Sequence, residues 1–163
     1  MRVLAPILAL VLAAAASSIR AAPSVTPVRV GCDQIIDQER SKPRDYRLVL
    51  RIVSVPPARL AQRAVRVSGR WPYWHKAGLV IHSSRKAVTV TVPKAWRGRV
   101  AIMWGNDTGV VSSLRLAPCP SPPHVWNAYA GGFYLRSYRA CVPLRVTVAL
   151  RSKVVRFGIG RSC

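Results

Sequence analysis

The sequence predicts an all-β protein: a single antiparallel β-sandwich carrying two disulfides. Three observations predict it. Apolar and polar residues alternate at period two through most of the chain. Gly, Pro, Asn and Asp interrupt that alternation at short, regular spacing. Helical periodicity is almost absent. An immunoglobulin-like sandwich is the closest architecture, with a small β-barrel as the alternative.

Residues 1–21 stand apart from this pattern. Met1-Arg2 gives a positive start, Val3 to Ala16 is an uninterrupted apolar run, and small residues follow at Ser17, Ser18, Ala21 and Ala22. That order predicts a secretory signal peptide. The run is shorter than the roughly 20 residues that span a bilayer. A cut after Ala21 or after Ser18 both satisfy the small-residue rule in part. Residues 22–45 then read as an extended, irregular entry segment holding four of the five acids, with one helical turn at Ile35-Ile36. Residues 46–163 read as the sandwich.

The elements follow in order. Tyr46 to Val55 predicts one strand with Leu48, Leu50 and Ile52 on a common face, ended by Pro56-Pro57. Ala77 to His82 predicts a second. Val88, Val90 and Val92 alternate with Thr89 and Thr91, the cleanest strand signal present. Arg99–Trp104 and Val110–Ala117 flank Gly105-Asn-Asp-Thr-Gly109, whose residues tolerate positive φ, and so predict a hairpin. Phe133–Tyr138 is next. Leu144, Val146, Val148 and Leu150 form a face, and Ser152-Lys153 predicts a tight turn into Val154–Ile159.

All four cysteines (Cys32, Cys119, Cys141, Cys163) lie beyond the leader. An even count in an exported chain predicts two disulfides. No Cys-x-x-Cys pair suggests zinc. Spacing favours Cys119–Cys141 and Cys32–Cys163 among three possible connectivities.

The formal net charge is +21. From Tyr46 onward 20 Arg and Lys face one acid, Asp107. Such a surface attracts anionic polymers, whether wall polymer, nucleic acid or lipid head groups. The competing account is compositional, since a GC-rich genome enriches Arg, Ala, Val, Pro and Gly together. The arginines are dispersed, and no basic run resembles a nucleic-acid arm. Export also argues against a cytosolic nucleic-acid partner.

No constellation predicts catalysis. Gly-x-Ser-x-Gly is absent, and Ser83 and Ser84 beside His82 are sequence neighbours rather than converging groups. The three histidines (His75, His82, His124) lack the carboxylates that usually orient metal-bound imidazoles. Paired-carboxylate hydrolysis lacks its pair. Asp33, Asp37, Glu39 and Asp45 are too dispersed for a calcium loop and are expected to pair with neighbouring Arg. No cofactor or metal is expected, and the protein is not expected to be an enzyme.

The candidate ligand-binding residues are Arg70, Trp71, Tyr73, Trp74, His75 and Lys76. Aromatic rings there suit a sugar or base, and the basic groups suit phosphate. The alternative is that these rings fold back to cap the core. A second cluster, Trp126, Tyr129, Phe133 and Tyr134, reads as a buried strand led in by Gly131-Gly132. Asn106-Asp-Thr108 matches a glycosylation acceptor, relevant only in a eukaryote.

The segments Trp104–Ser113 and Trp126–Tyr134, with Cys119-Pro120, Cys141 and Cys163, resemble a group of small secreted actinobacterial proteins of unknown function. The resemblance covers most of the mature chain and implies export and two disulfides. It brings no active residues. The expected role is a secreted, non-catalytic binding or structural module, extracellular or wall-associated. The alternatives are a cationic binder of anionic polymers and an unrecognised hydrolase.

Overall fold

The computed structural model describes residues 25–120 and 122–163. The leader read at residues 1–21 lies outside them. Among the described residues, fifteen strands and two single turns of 3-10 helix, Cys32–Gln34 and Lys94–Trp96, make up the regular structure. The entry segment supplies β1 (Val28–Val30) and β2 (Asp37–Glu39). β3 (Arg47–Val49), β4 (Val53–Val55), β5 (Arg59–Leu60) and β6 (Val65–Arg66) follow. The middle of the chain forms β7 (Tyr73–Lys76), β8 (Leu79–His82), β9 (Val88–Thr91), β10 (Val100–Trp104) and β11 (Ser113–Leu116). The last strands are β12 (Trp126–Tyr129), β13 (Gly131–Leu135), β14 (Ala140–Val148) and β15 (Arg151–Ile159).

A six-stranded sheet has the order β1-β11-β9-β14-β15-β5. Its outer pairs, β1 with β11 and β15 with β5, are parallel, and the rest is antiparallel. A five-stranded sheet (β2-β12-β8-β4-β3) and a four-stranded sheet (β10-β13-β7-β6) are wholly antiparallel. These two are halves of one bent layer. The chain passes from β7 to β8 across Ala77-Gly78, and from β12 to β13 across Ala130 alone. The Ala77 N–H donates to the Gly131 carbonyl at 2.9 Å, which carries the ladder through the bend. The fold is thus all-β, antiparallel-rich and not closed into a barrel.

The core lies between the bent layer and the six-stranded sheet. Alternation builds it: Val88, Val90 and Val92 are buried while Thr89 and Thr91 are half-exposed. Val142, Leu144, Val146 and Val148 of β14 meet Val155, Phe157 and Ile159 of β15 in the same way. Each such side chain contributes about 1.5–3 kcal/mol on full burial. Phe133 of the bent layer packs on Phe157 of the six-stranded sheet, with ring centroids 5.2 Å apart. Arg47 joins the layers as well. Its guanidinium sits 5.1 Å over Phe157, with Nε donating to the Pro56 carbonyl and Nη2 to that of Arg156.

Four expectations about strands and turns are corrected. Tyr46–Val55 is a hairpin, not one strand: the chain reverses at Leu50 and Arg51, both at positive φ (50° and 68°). Val49 faces Val53 in register and both are buried, whereas Leu48 is 49% exposed. Gly105–Gly109 does not close a hairpin within one sheet. It carries the chain from the four-stranded to the six-stranded sheet, and only Ile102 and Val111 still bridge. The last turn falls at Ala149-Leu150, with Leu150 wholly exposed, and Ser152-Lys153 belongs to β15. The entry-segment helical turn sits at Cys32–Gln34, one turn earlier than Ile35-Ile36.

The disulfides are Cys32–Cys119 and Cys141–Cys163, neither of which is a favoured pair. Strand adjacency explains both. The parallel register Val30↔Leu116 carries Cys32 and Cys119 past the same end of β1 and β11, to a Cα–Cα distance of 5.8 Å. Cys141 lies opposite Gly158, and the tail turns back through Gly160 (φ +62°) to place Cys163 5.1 Å from it, Cα to Cα.

Candidate functional site

The aromatic segment 69–76 divides in two. Arg70 to Pro72 is loop, tied down where the Val67 N–H donates to the Pro72 carbonyl. Tyr73 to Lys76 is β7, and strand alternation sends its side chains to opposite faces. Tyr73 and His75 turn inward. Tyr73 packs against the core margin and Tyr138, with centroids 6.0 Å apart. His75 is 2% exposed and lies beside Phe133. Trp74 turns outward, half-buried, in a cross-strand row with Val65, Tyr134 and Ala101. Lys76 is exposed in the neighbouring position opposite Gly132. The six predicted residues therefore divide between the loop and the two faces of β7.

His75 is the one histidine in the core. Burial lowers its pKa below the usual 6.5, opposed in part by the Arg63 backbone. Its Nδ1 has no hydrogen-bond partner among the described residues, as is true of Trp74 Nε1. His75 also borders a cavity of about 350 Å³ with Tyr46, Pro56, Leu60 and Gln62. Burial, then the neighbouring Asp45, raises the Tyr46 hydroxyl.

Trp71 and Arg70 join a different assembly. The guanidiniums of Arg70 and Arg136 lie over the Trp71 ring at 5.5 and 5.3 Å. The Arg136 N–H donates to the Arg99 carbonyl at 3.1 Å. The Arg99 guanidinium in turn sits 4.4 Å over Trp96, with Nη2 donating to the Ala95 carbonyl at 3.0 Å. Arg99, Arg136, Arg139, Arg161 and Trp96 line a cavity of about 430 Å³ whose floor includes Val100, Ala140 and Cys141. Arg161 also borders a second cavity of about 470 Å³ with Arg59 and Arg63. Neither lining contains a carboxylate.

Sequence reading missed Trp96, Arg99, Arg136, Arg139 and Arg161 because they come from three distant segments. A signal existed in the repeated closeness of aromatic and arginine, Trp96 with Arg99 and Tyr138 with Arg139. The acids lie elsewhere. Asp33 accepts from the Gln34 amide and Asp37 from the Gln38 N–H, where arginine partners were expected, and Asp107 also accepts from Gln34.

The remaining candidates are structural. Tyr129 and Phe133 are buried, and burial, then Asp33, pushes the Tyr129 hydroxyl up to about 12. Trp126 packs edge-on against His82, whose ring lies 6.4 Å from His124. His75 is in the core, apart from them. Among the described residues no three His, Cys, Asp or Glu side chains are grouped to hold a metal. No helix of the described residues is long and apolar enough to cross a membrane. Both disulfides suit an oxidising compartment. Comparison with protein-family models, curated proteins and solved structures finds no match to this chain.

Proposed function

We propose that the chain is exported and acts outside the cell as a non-catalytic β-sandwich module that binds an anionic polymer, such as a wall component. The carrying observation is the acid-free, arginine-lined pair of cavities that share Arg161 in their linings. Export is supported by the charge–apolar–small order of residues 1–22 and by the full use of the cysteines in bridges. The non-catalytic part is supported by the placement of the histidines: one is in the core, and the other two pack with each other and Trp126. Chromatography on an anionic resin tests the reading. Retention is expected well above physiological ionic strength, where surface charge is screened beyond about 8 Å. Elution at or below that salt overturns the binding claim. Turnover in an esterase, peptidase and glycosidase screen overturns the non-catalytic one.

A further inference from the structure

We propose that the arginine cavity binds a base-free phosphate chain through its phosphates, and that Trp71 and Trp96 are positioning residues rather than stacking platforms. This rests on the polyanion reading and names its ligand class. The argument starts from what the two rings already do. Trp71 is half-buried and engaged by two guanidiniums, and Trp96 by one at 4.4 Å. Each guanidinium covers ring surface that a stacking base would need. What the cation–π contact achieves is the ordering of long, flexible arginine side chains before the ligand arrives.

Sugar recognition fits no better. Hydroxyl groups are read by carboxylates and amides together with a free aromatic face. This cavity contains neither a carboxylate nor an amide side chain, and Ser137 is its one hydroxyl. The cavity presents planar guanidinium forks, which match phosphate oxygens two at a time. It is a site that reads charge and spacing only. Arg161 also borders the neighbouring cavity of Arg59, Arg63 and Gln62, which gives a chain more guanidiniums to meet than a single ion can use.

The test compares three fluorescent probes of matched charge at physiological salt: inorganic polyphosphate, poly(glycerol phosphate) and oligo(dT). Polyphosphate or poly(glycerol phosphate) is expected to bind at least as tightly as oligo(dT), and the two arms separate phosphoanhydride from phosphodiester sources. Arg136→Ala and Arg139→Ala are each expected to weaken binding about tenfold and to reduce the log–log salt slope by about one. Trp71→Ala is expected to weaken binding several-fold with the slope unchanged, since it removes order and no charge. Arg145→Ala, an exposed site on β14, is the control and leaves binding unchanged. Melting curves accompany every variant, so that loss of fold is separated from loss of contact. Tenfold preference for oligo(dT), abolished by Trp71→Ala, overturns this inference and leaves the polyanion reading standing. So does an Arg145→Ala effect equal to that of Arg136→Ala, which means diffuse attraction. Absence of binding by all three probes overturns both.

Discussion

Trp104 meets an apolar and a polar demand at one position. Its ring is edge-on to Phe133 in the core at 5.6 Å, and its Nε1 donates to the Ala77 carbonyl at 2.8 Å. Trp104→Phe keeps most of the ring and strands the carbonyl, so a loss of about 1–3 kcal/mol is expected. Trp104→Ala adds a cavity, for about 3–5 kcal/mol. Denaturant midpoints falling in that order, at constant slope, check both figures. His75 gives a pH dependence whose sign follows from its burial. The folded pKa is lowered, so the unfolded chain takes up the proton first as pH falls below about 6.5. The stability contributed by the neutral ring is fully present above that value. It is lost as pH falls toward the lowered folded pKa. A melting temperature that drops from pH 7.5 to pH 5, with the drop reduced in His75→Gln, is the expected result. The sequence placed His75 in a candidate binding loop because six neighbouring residues all looked suited to a ligand. Which of them shared a face depended on where β7 began, and a single residue of register decides that.

The bend in the layer depends on Gly131 and Gly132. A Cβ at Gly131 would collide with the Met103 carbonyl oxygen, and one at Gly132 with that of His75. Both obstacles are backbone, with no side chain to move aside. Gly132→Ala is therefore expected to destabilise by several kcal/mol or to prevent folding, whereas Gly98→Ala, facing open space, stays within about 0.5 kcal/mol. Thermal melts of the pair make the comparison. The strands with strict alternation, β9 and β14, were legible because one face is wholly buried and the other is not. The β3–β4 hairpin was hidden because Leu50 and Arg51 occupy left-handed positions that Gly or Asn usually marks. The same holds at Ala149 (φ 51°), where the turn residues carry no turn signature. Gly105–Gly109 carries the composition of a hairpin loop, yet it crosses between sheets, because local sequence does not state which strand is the neighbour.

At the scale of the molecule, the two bridges close loops of different length, with sequence separations of 87 and 22. Chain-entropy arguments give about 4.6 kcal/mol for the longer and about 3.4 kcal/mol for the shorter. Paired Cys→Ala variants are expected to lose stability in that order, and non-reducing peptide mapping is expected to recover Cys32 with Cys119 and Cys141 with Cys163. Presence and number of bridges were readable from the count of cysteines. Their pairing required the parallel β1–β11 contact, which no spacing rule reveals. The edges of the sheets have their own consequence. β1, β2, β3, β5 and β6 are two or three residues long, and β10 is guarded by the Ile102–Val111 bridge. The longest margin without a strand partner belongs to β15, which pairs with β5 only at Gly158 and Ile159 and is met by Arg47 at the Arg156 carbonyl. Arg151, Lys153 and Arg156 stand along it, so two copies approaching edge to edge bring like charges together. Like charges set along a strand margin work against edge-to-edge pairing of that margin, as they do on natural sheet edges.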